Sequence, residues 1–581
     1  MPRHAHLLVV AVALGVVCFT PAGVDAATIA PAIEAASGGQ FDGAASELSA
    51  EPATRAAAAS LTPKPADFTN DGFDDIVLPA YRGSLTVGGV LKEATGYLYV
   101  IPGSVGGTDL PNAESLQQET VGGSSGDFDH FGATVATGDF NGDGRSDLAI
   151  GAPKDDVGAA IAAGSVGVAY GAGARPVRRF HQDSSGIGDG AEEFDGFGSA
   201  LTSSDFDGDG YDDLAVGVPF EDLPGANGAG AVHVLYGGAT GLGTSGGQFF
   251  VQSLSGIGDK PEFLDEFGLR LAAGDFNGDG YGDLVVSAPE EGLATRSSSG
   301  AVHVILGGSN GLRSSRSGLF TQDTTGIGDT AEFNDRFGLA LAVGNFNGDR
   351  YADLAIAAPF ESFGSASVAG AVHILFGSAS GISTTGDLLL TENTAGIAGS
   401  AQPFAKFGFE LAAGDLDGDG YDDLAVGEPF KDNVAGAVDW NRDDGWVHIV
   451  FGGASGSTGS RAQVFSQNTD GIPDKCEIGD WFGRSLAVAD VDGDGDGDLV
   501  VGASREDAGG FTDLGVVHVL KGYSRGVATS ADEYFVGAEP NARFGSSVTS
   551  TVFQGTRNGT DENFQLMTLR PLATATDETR R

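Results

Sequence analysis

The sequence predicts an all-β fold: a seven-bladed β-propeller of four-stranded antiparallel blades, closed by pairing of its N- and C-terminal repeat segments. Three observations carry that expectation. An acidic nonapeptide, clearest as Asp205-Phe206-Asp207-Gly208-Asp209-Gly210-Tyr211-Asp212-Asp213, starts at Asp67, Asp139, Asp205, Asp275, Asn345, Asp415 and Asp490, in steps of 72, 66, 70, 70, 70 and 75 residues. A period of that size marks an array of one supersecondary unit. Each unit holds four apolar segments of strand length, and none has helical length or period. The third observation is a one-step offset between the acidic loops and a second repeating feature, a Phe-Gly pair.

One unit, laid out on residues 197–266, begins with Phe197-Gly198-Ser199-Ala200-Leu201 and runs into the acidic loop. Leu214 to Val218 follows, then Gly228 to Tyr236, then Gln248 to Gln252. Four short antiparallel strands per unit make the blade of a propeller. Phe-Gly strand starts fall at Phe131, Phe197, Phe267, Phe337, Phe407, Phe482 and Phe544. The first acidic loop has no Phe-Gly before it, and the last Phe-Gly has no acidic loop after it. Joining the strand at 544–550 to the blade begun at Asp67 completes seven blades and removes both exposed sheet edges. The propeller is thereby placed at 61–550.

The ends read differently. Arg3, His4 and His6 precede an apolar run from Leu7 to Phe19, and Val24-Asp25-Ala26 offers a small-residue cleavage site, so 1–26 is expected to be a secretory signal. Residues 27–60 read as a flexible leader and 551–581 as a flexible tail, with no periodicity in either. After cleavage only Cys476 remains, so an internal disulfide is not possible. A net charge of −49 speaks against nucleic acid, which needs a basic footprint. It favours solubility and contact with cations or basic surfaces.

The acidic loops have metal-ligand chemistry. Oxygen side chains fall at positions 1, 3, 5 and 9, a backbone carbonyl is available at 7, and Gly usually stands at 6. That odd-numbered series is the ligand order of a calcium-binding turn. Position 12 is Ile150 or Val216, where a helix–loop–helix calcium hand has Glu, so the loop leads into a strand. Hard oxygen donors without His or Cys favour Ca2+ over zinc or copper. The candidate ligands are Asp67, Thr69, Asp71, Phe73 and Asp75 in the first loop; Asp139, Asn141, Asp143, Arg145 and Asp147 in the second; and Asp205, Asp207, Asp209, Tyr211 and Asp213 in the third. The fourth offers Asp275, Asn277, Asp279, Tyr281 and Asp283, and the fifth Asn345, Asn347, Asp349, Tyr351 and Asp353. The sixth offers Asp415, Asp417, Asp419, Tyr421 and Asp423, and the seventh Asp490, Asp492, Asp494, Asp496 and Asp498. Up to seven Ca2+ sites are expected. The third, sixth and seventh, with four Asp each, rank strongest. The fifth ranks weakest, because Asn345 replaces Asp and Arg350 stands where Gly belongs.

The combined pattern of Phe131-Gly132, Asp139 to Asp147 and Gly151-Ala152-Pro153 resembles the FG-GAP repeat of integrin α-subunit propellers. The resemblance covers roughly 67–550. It implies a calcium-stabilised extracellular propeller used in adhesion, with metal loops on one face and partner binding on the other. A second resemblance is to the propeller of a glycosylphosphatidylinositol-cleaving phospholipase, in which a separate domain is catalytic. The sequence has no counterpart of the integrin leg domains, the transmembrane helix or that catalytic domain. A secreted or cell-surface-associated protein of bacterial type is therefore expected in preference to a signalling receptor.

Strand alternation puts the acidic loops and tight Gly-Gly turns on the bottom face. The top face receives the longer connections, with Phe220, Glu290-Glu291, Trp440, Arg442 and Trp481, and the Asp residues at 129, 195, 265, 335 and 480. Loops on a rigid scaffold are where partner sites gather. His233, His303, His373, His448 and His518 share one place in the third strand and read as scaffold. Gly307-Gly308-Ser309-Asn310-Gly311 and Gly122-Gly123-Ser124-Ser125-Gly126 match a nucleophile-elbow pattern but lack its strand–turn–helix context. The leading expectation is an adhesion or ligand-recognition module, a monomeric propeller binding an extracellular protein or carbohydrate through its top-face loops. The alternative is an extracellular hydrolase, phospholipase- or glycosidase-like, that uses the propeller as scaffold.

Overall fold

The computed structural model describes residues 16–18 and 67–550, apart from 88–89, 172–177, 294–295, 433–442, 474, 508–511, 530–531 and 538–543. The expected leader and tail, Trp440, Arg442 and all of the expected signal but Val16–Cys18 lie outside those residues.

Seven blades of four antiparallel strands form a propeller ring. Helical structure among the described residues is limited to three short 3-10 turns. In blade III the strands are Ala200–Ser204, Asp213–Val218, Ala231–Tyr236 and Gly243–Phe250, paired in sequence order. Blades II, IV, V, VI and VII open at Thr134–Gly138, Leu271–Gly274, Ala340–Gly344, Glu410–Gly414 and Phe482–Ala489. These first strands pack on one another around the axis, so they are the innermost. The second strand is buried along its whole length, as in Asp213–Val218, whereas the fourth, Gly243–Phe250, faces solvent over much of its length. A continuous apolar run in the second strand is therefore a consequence of burial on both faces.

The apolar core lies between blades. Val135 and Ile150 of blade II share one cluster with Leu201, Leu214 and Val216 of blade III. Phe206 of blade III packs with Leu284 and Val286 of blade IV. Each blade thus buries its faces against its two neighbours, as in other repeat architectures.

The Phe-Gly pair is the latch between blades. Phe267 N–H donates to Ala229 O at 2.9 Å, and the same bond joins Phe197 to Ala163 and Phe407 to Ala369. Gly230 has φ +87°, and a Cβ there would lie 2.2 Å from Phe267 O, so only Gly allows the approach. The Phe ring turns inward onto the third-strand His of its own blade: Phe267 and His303 meet edge-on at 5.2 Å, Phe407 and His448 at 5.3 Å. The recurrent His residues are packing partners of the Phe-Gly rings within a blade.

Closure is as expected. Thr549–Ser550 supplies the inner strand of blade I, pairing Ile76 with Ser550 and Val77 with Thr549. Tyr97–Ile101 and Glu114–Leu116 complete that blade. Phe544 N–H donates to Leu514 O at 3.2 Å, the latch of the last blade onto the first. Val16–Cys18 runs parallel to the outer strand of blade VII, with Val16 opposite Tyr534.

Candidate functional site

All seven acidic loops join the first strand of a blade to its second, at the bottom of the ring. Position 1 organises the turn. Asp205 Oδ1 accepts N–H from Gly208 at 2.7 Å and Asp209 at 3.1 Å, and its Oδ2 accepts from Gly210 at 2.9 Å. Asp67, Asp139, Asp275, Asp415 and Asp490 accept the equivalent N–H groups of their own loops. Position 9 ties the loop to the adjacent hairpin, with Asp213 accepting from Phe206 N–H at 2.9 Å and Gly237 N–H at 2.8 Å. Asp75, Asp147, Asp283, Asp353, Asp423 and Asp498 take the corresponding bonds from Gly103, Gly171, Gly307, Gly377, Gly452 and Gly522. Ligand atoms of Asp205, Asp207 and Asp213 lie within 4.8 Å of one another, and so do those of Asp67, Asp71 and Asp75.

Such crowding is costly without a cation. Burial, followed by neighbouring carboxylates, pushes Asp213 up to about 9 and Asp75, Asp147 and Asp283 up to about 8. The donor set is all hard oxygen, with no His or Cys, which fits Ca2+. Positions 1, 3, 5 and 9 of each loop would hold it, and bound Ca2+ would neutralise the converging carboxylates.

Geometry separates loops that sequence ranks as equal. At the seventh, Lys521 Nζ lies 3.0 Å from Asp498 Oδ2 and 3.6 Å from Asp492 Oδ2, inside the candidate cage. Arg461 pairs with Asp417 of the sixth and comes within 3.9 Å of Asp419. Only the third of the four-Asp loops is without a protein cation in ion-pair range among the described residues. In the fifth, Asn345 Nδ2 donates to Asp349 O at 2.8 Å, a bond that a carboxylate cannot make, and Arg350 turns away onto Tyr351.

Positions 7 and 8 do work that the odd-numbered pattern does not reveal. At position 8, Asp212 Oδ2 accepts Asp139 N–H of the preceding loop at 2.6 Å, while Asp212 N–H donates to Asp139 O at 3.1 Å. The backbone bond recurs from Gly282 to Asp205, Ala352 to Asp275, Asp422 to Asn345 and Gly497 to Asp415. At position 7 the Tyr211 ring lies over Gly142 of the preceding loop, leaving no room for a Cβ. Tyr281, Tyr351, Tyr421 and Phe73 lie likewise over Gly208, Gly278, Gly348 and Gly493. The candidate metal loops are therefore stitched to one another around the ring.

The opposite face is less uniformly acidic than sequence suggests. Each described connection into a Phe-Gly carries an exposed apolar side chain three or four residues before the Phe: Phe128, Phe194, Phe263, Phe333, Phe404 and Ile478, all between 49% and 72% exposed. The residue just before the Phe takes a left-handed backbone in each: His130, Gly196, Glu266, Arg336, Lys406 and Trp481, at φ 56–70°. Over blades V to VII these positions build a strip of alternating cations and rings. Arg336 and Lys406 both lie 4.8 Å from the Phe360 ring, and Lys406 lies 4.0 Å from Phe430. Arg484 lies 4.4 Å from Phe409, and Arg505 lies 3.8 Å from Trp481. Burial, then the Arg484 charge, holds the Lys406 ammonium down at about 8. The elbow-like sequences lie in turns without a catalytic partner pattern: Ser309 sits in a bottom-face turn, and Ser124 is exposed beside Ser125, whose Oγ donates to Glu119.

The FG-GAP repeat model matches six segments, 131–174, 197–235, 267–305, 337–375, 407–439 and 482–520. The chain is an FG-GAP repeat protein. The loop of blade I, Asp67 to Asp75, lies outside the matched segments. This FG-GAP protein is similar to phosphatidylinositol-glycan-specific phospholipase D of Bos taurus, 32% identical over 202 residues, which are 35% of this chain and 22% of the relative. It is also similar to integrin alpha-PS2 of Drosophila melanogaster, 32% identical over 238 residues, 40% of this chain and 15% of the relative. The alignments thus span less than a quarter of either relative. Among solved structures, an Agrocybe aegerita lectin recognising non-reducing terminal N-acetylglucosamine aligns at TM-score 0.44 and 14% identity, over 82% of this chain and 94% of the lectin. Rhamnogalacturonan lyase YesW aligns at 0.31 and 12%, over 68% of each chain. Neither score bears on what the FG-GAP protein does. Among the described residues no helix is long and apolar enough to cross a membrane.

Proposed function

We propose that this FG-GAP propeller is a secreted, calcium-binding recognition module that engages an extracellular protein or carbohydrate ligand through its top face. The observation that carries the reading is the set of six equivalent top connections, each displaying an exposed apolar side chain over a rigid blade. Isolated exposed apolar residues need no explanation, but one per blade on one face is a surface feature. The strip of Arg336, Lys406, Arg484 and Arg505 threaded through Phe360, Phe409, Phe430 and Trp481 gives the contact a chemistry. It suits carboxylate or sulfate groups, for which arginine forks are the matching donors. Calcium at the bottom loops would hold the blades in the ring that presents this face.

The test is a glycan and matrix-protein array probed with wild type, Trp481→Ala and Lys406→Ala, with and without Ca2+. The expected outcome is Ca2+-dependent binding that falls at least tenfold in both variants. Equal binding by variants and wild type would remove the top face from the account. Saturable ester, phosphodiester or glycoside hydrolysis by the pure protein would favour the hydrolase alternative instead.

A further inference from the structure

A second repeating device lies at the top seam between neighbouring blades, on the face opposite the acidic loops. At four of the described seams a Gln just after the fourth strand reaches a Glu in the next blade, 39 residues later. Gln182 donates to Glu221 at 2.5 Å, Gln252 to Glu291 at 2.7 Å, Gln322 to Glu361 at 2.7 Å and Gln467 to Glu506 at 2.5 Å. Around the Glu gather further acids of the same connection. Ligand atoms of Glu262, Asp265 and Glu291 lie within 4.8 Å of one another, as do those of Glu192, Asp195 and Glu221. Carboxylates brought this close out of water repel strongly unless a cation joins them.

The seam between blades III and IV combines these features with a cavity. Glu291 and Asp265 are almost fully buried. Gln252 is 1% exposed, bonds to both of them, and leaves its own carbonyl Oε1 without a partner among the described residues. Buried polar atoms are nearly always satisfied, so an orphan at an acidic cluster points to an absent ligand. A cavity of about 490 Å3 borders the cluster at Glu262 and Glu291, with Asp259, Lys260 and Arg296 on its wall. Arg296 is engaged elsewhere, with Asp323 and with Ala331 O.

Two other seams show what such a place requires. Between blades V and VI the Gln is replaced by Glu392 and the Glu by Lys431, again 39 residues apart. The Lys431 ammonium bonds to Glu392, donates to Ser400 O at 2.9 Å and lies 3.7 Å from Glu428 Oε1. Seven residues after the Gln stand Asp189, Asp259 and Asp329, but the matching residue here is Gly399, whose Cβ would collide with Glu392 Oε1. Between blades I and II, Asp155 holds the place of Glu291 and is paired with Arg179. Where the chain supplies its own cation the extra acid is gone or paired. At the seams of blades II–III and III–IV, the clustered acids converge without such a pairing.

We infer that the top seam between blades III and IV is a divalent-cation site held by Glu262, Asp265, Glu291 and Gln252, separate from the acidic loops, with a counterpart at Gln182, Asp195 and Glu221. Carboxylate and amide oxygens make it a site for a hard ion, Ca2+ in the first instance. Such an ion would clamp the fourth strand of one blade to the top connection of the next, as the Lys431 ammonium does by ion pairing between blades V and VI.

The experiment counts Ca2+ per full-length chain by equilibrium dialysis. One variant carries the blade VI solution into blade IV: Gln252→Glu, Asp259→Gly and Glu291→Lys together. It is expected to bind one Ca2+ fewer than wild type while keeping its melting temperature in chelator. The reciprocal variant, Glu392→Gln, Gly399→Asp, Gln402→Glu, Ala405→Asp and Lys431→Glu, is expected to bind one more. A Tb3+ soak of wild-type crystals should place anomalous density between Glu291 and Asp265, which holds even if a variant fails to fold. Unchanged counts in folded variants, or density at the acidic loops with none at this seam, would overturn the assignment.

Discussion

Asp74 and Asp490 stand 416 residues apart in the chain and hold each other by two hydrogen bonds: Asp490 N–H donates to Asp74 Oδ2 at 3.1 Å, and Asp74 N–H to Asp490 O at 3.4 Å. The same pair of bonds joins Asp212 to Asp139 inside the array. The contact that closes the ring is therefore the ordinary contact between adjacent loops, made between the first blade and the last.

Removing one member of that pair should loosen the seam. Asp74→Ala strands a partly buried N–H, at about 1–3 kcal/mol. Urea unfolding of Asp74→Ala should show a midpoint shifted by that amount. A midpoint equal to wild type would mean that the contact contributes nothing to closure.

Chelation should cost much more. An ion that binds only the folded state stabilises it by about 2.7 kcal/mol per site at a hundredfold excess over Kd. The melting temperature in EGTA is expected to fall well below that in millimolar Ca2+. Coincident melting curves would argue against structural calcium.

In chelator, stability should rise on acidification. Asp213 sits at about 9 and Asp75, Asp147 and Asp283 at about 8, each raised by burial above the ordinary carboxylate near 3.9. The folded state then holds protons that the unfolded state releases, so stability drops as pH climbs from about 4 through 8 or 9. With Ca2+ present, acidification expels the ion instead. Melting curves at pH 8 and pH 6, with and without EGTA, should therefore converge at the lower pH; a gap that stays constant would contradict this.

Lys521 should act as a built-in competitor of metal. Its ammonium reaches Asp498 and Asp492 of the seventh loop. Lys521→Gln removes that charge and should raise the Ca2+ affinity of one site severalfold, seen in calorimetry as a tighter class of binding. No change in the isotherm would place Lys521 outside the cage in solution.

Lys406 gives the top face its own pH signature. Held down at about 8, it loses its charge as pH rises through that value. Binding of an anionic ligand should weaken between pH 7 and pH 9. In Lys406→Arg, whose guanidinium stays charged, the decline should vanish. A profile shared by both proteins would assign the pH dependence to another group.

The ring and its closure were legible because period and phase are properties of the chain itself. The offset between Asp67 and Phe544 gave the strand exchange that Thr549–Ser550 makes. Positions 1 and 9 of the loops were legible because their hydrogen bonds are local or reach the next hairpin. The roles of Asp212 and Tyr211 were not, since their partners Asp139 and Gly142 belong to another blade. Nor was the intrusion of Lys521, 23 residues beyond the acid it neutralises. The seam residues did leave a signal. Setting the units in register puts Gln182, Gln252, Gln322, Glu392 and Gln467 in one column, and Glu221, Glu291, Glu361, Lys431 and Glu506 in another. The joint exchange at Glu392 and Lys431 marks paired residues of opposite charge.

Because the inner strand of blade I is drawn from Thr549–Ser550, nascent chain leaving a ribosome or a translocon has no finished toroid until residue 550 has emerged. Up to that moment blade I lacks its axial strand and blade VII has no neighbour on one side. Loss of the chain from Phe544 onward would therefore unlatch the hoop at its joint, while the five blades between keep both their partners.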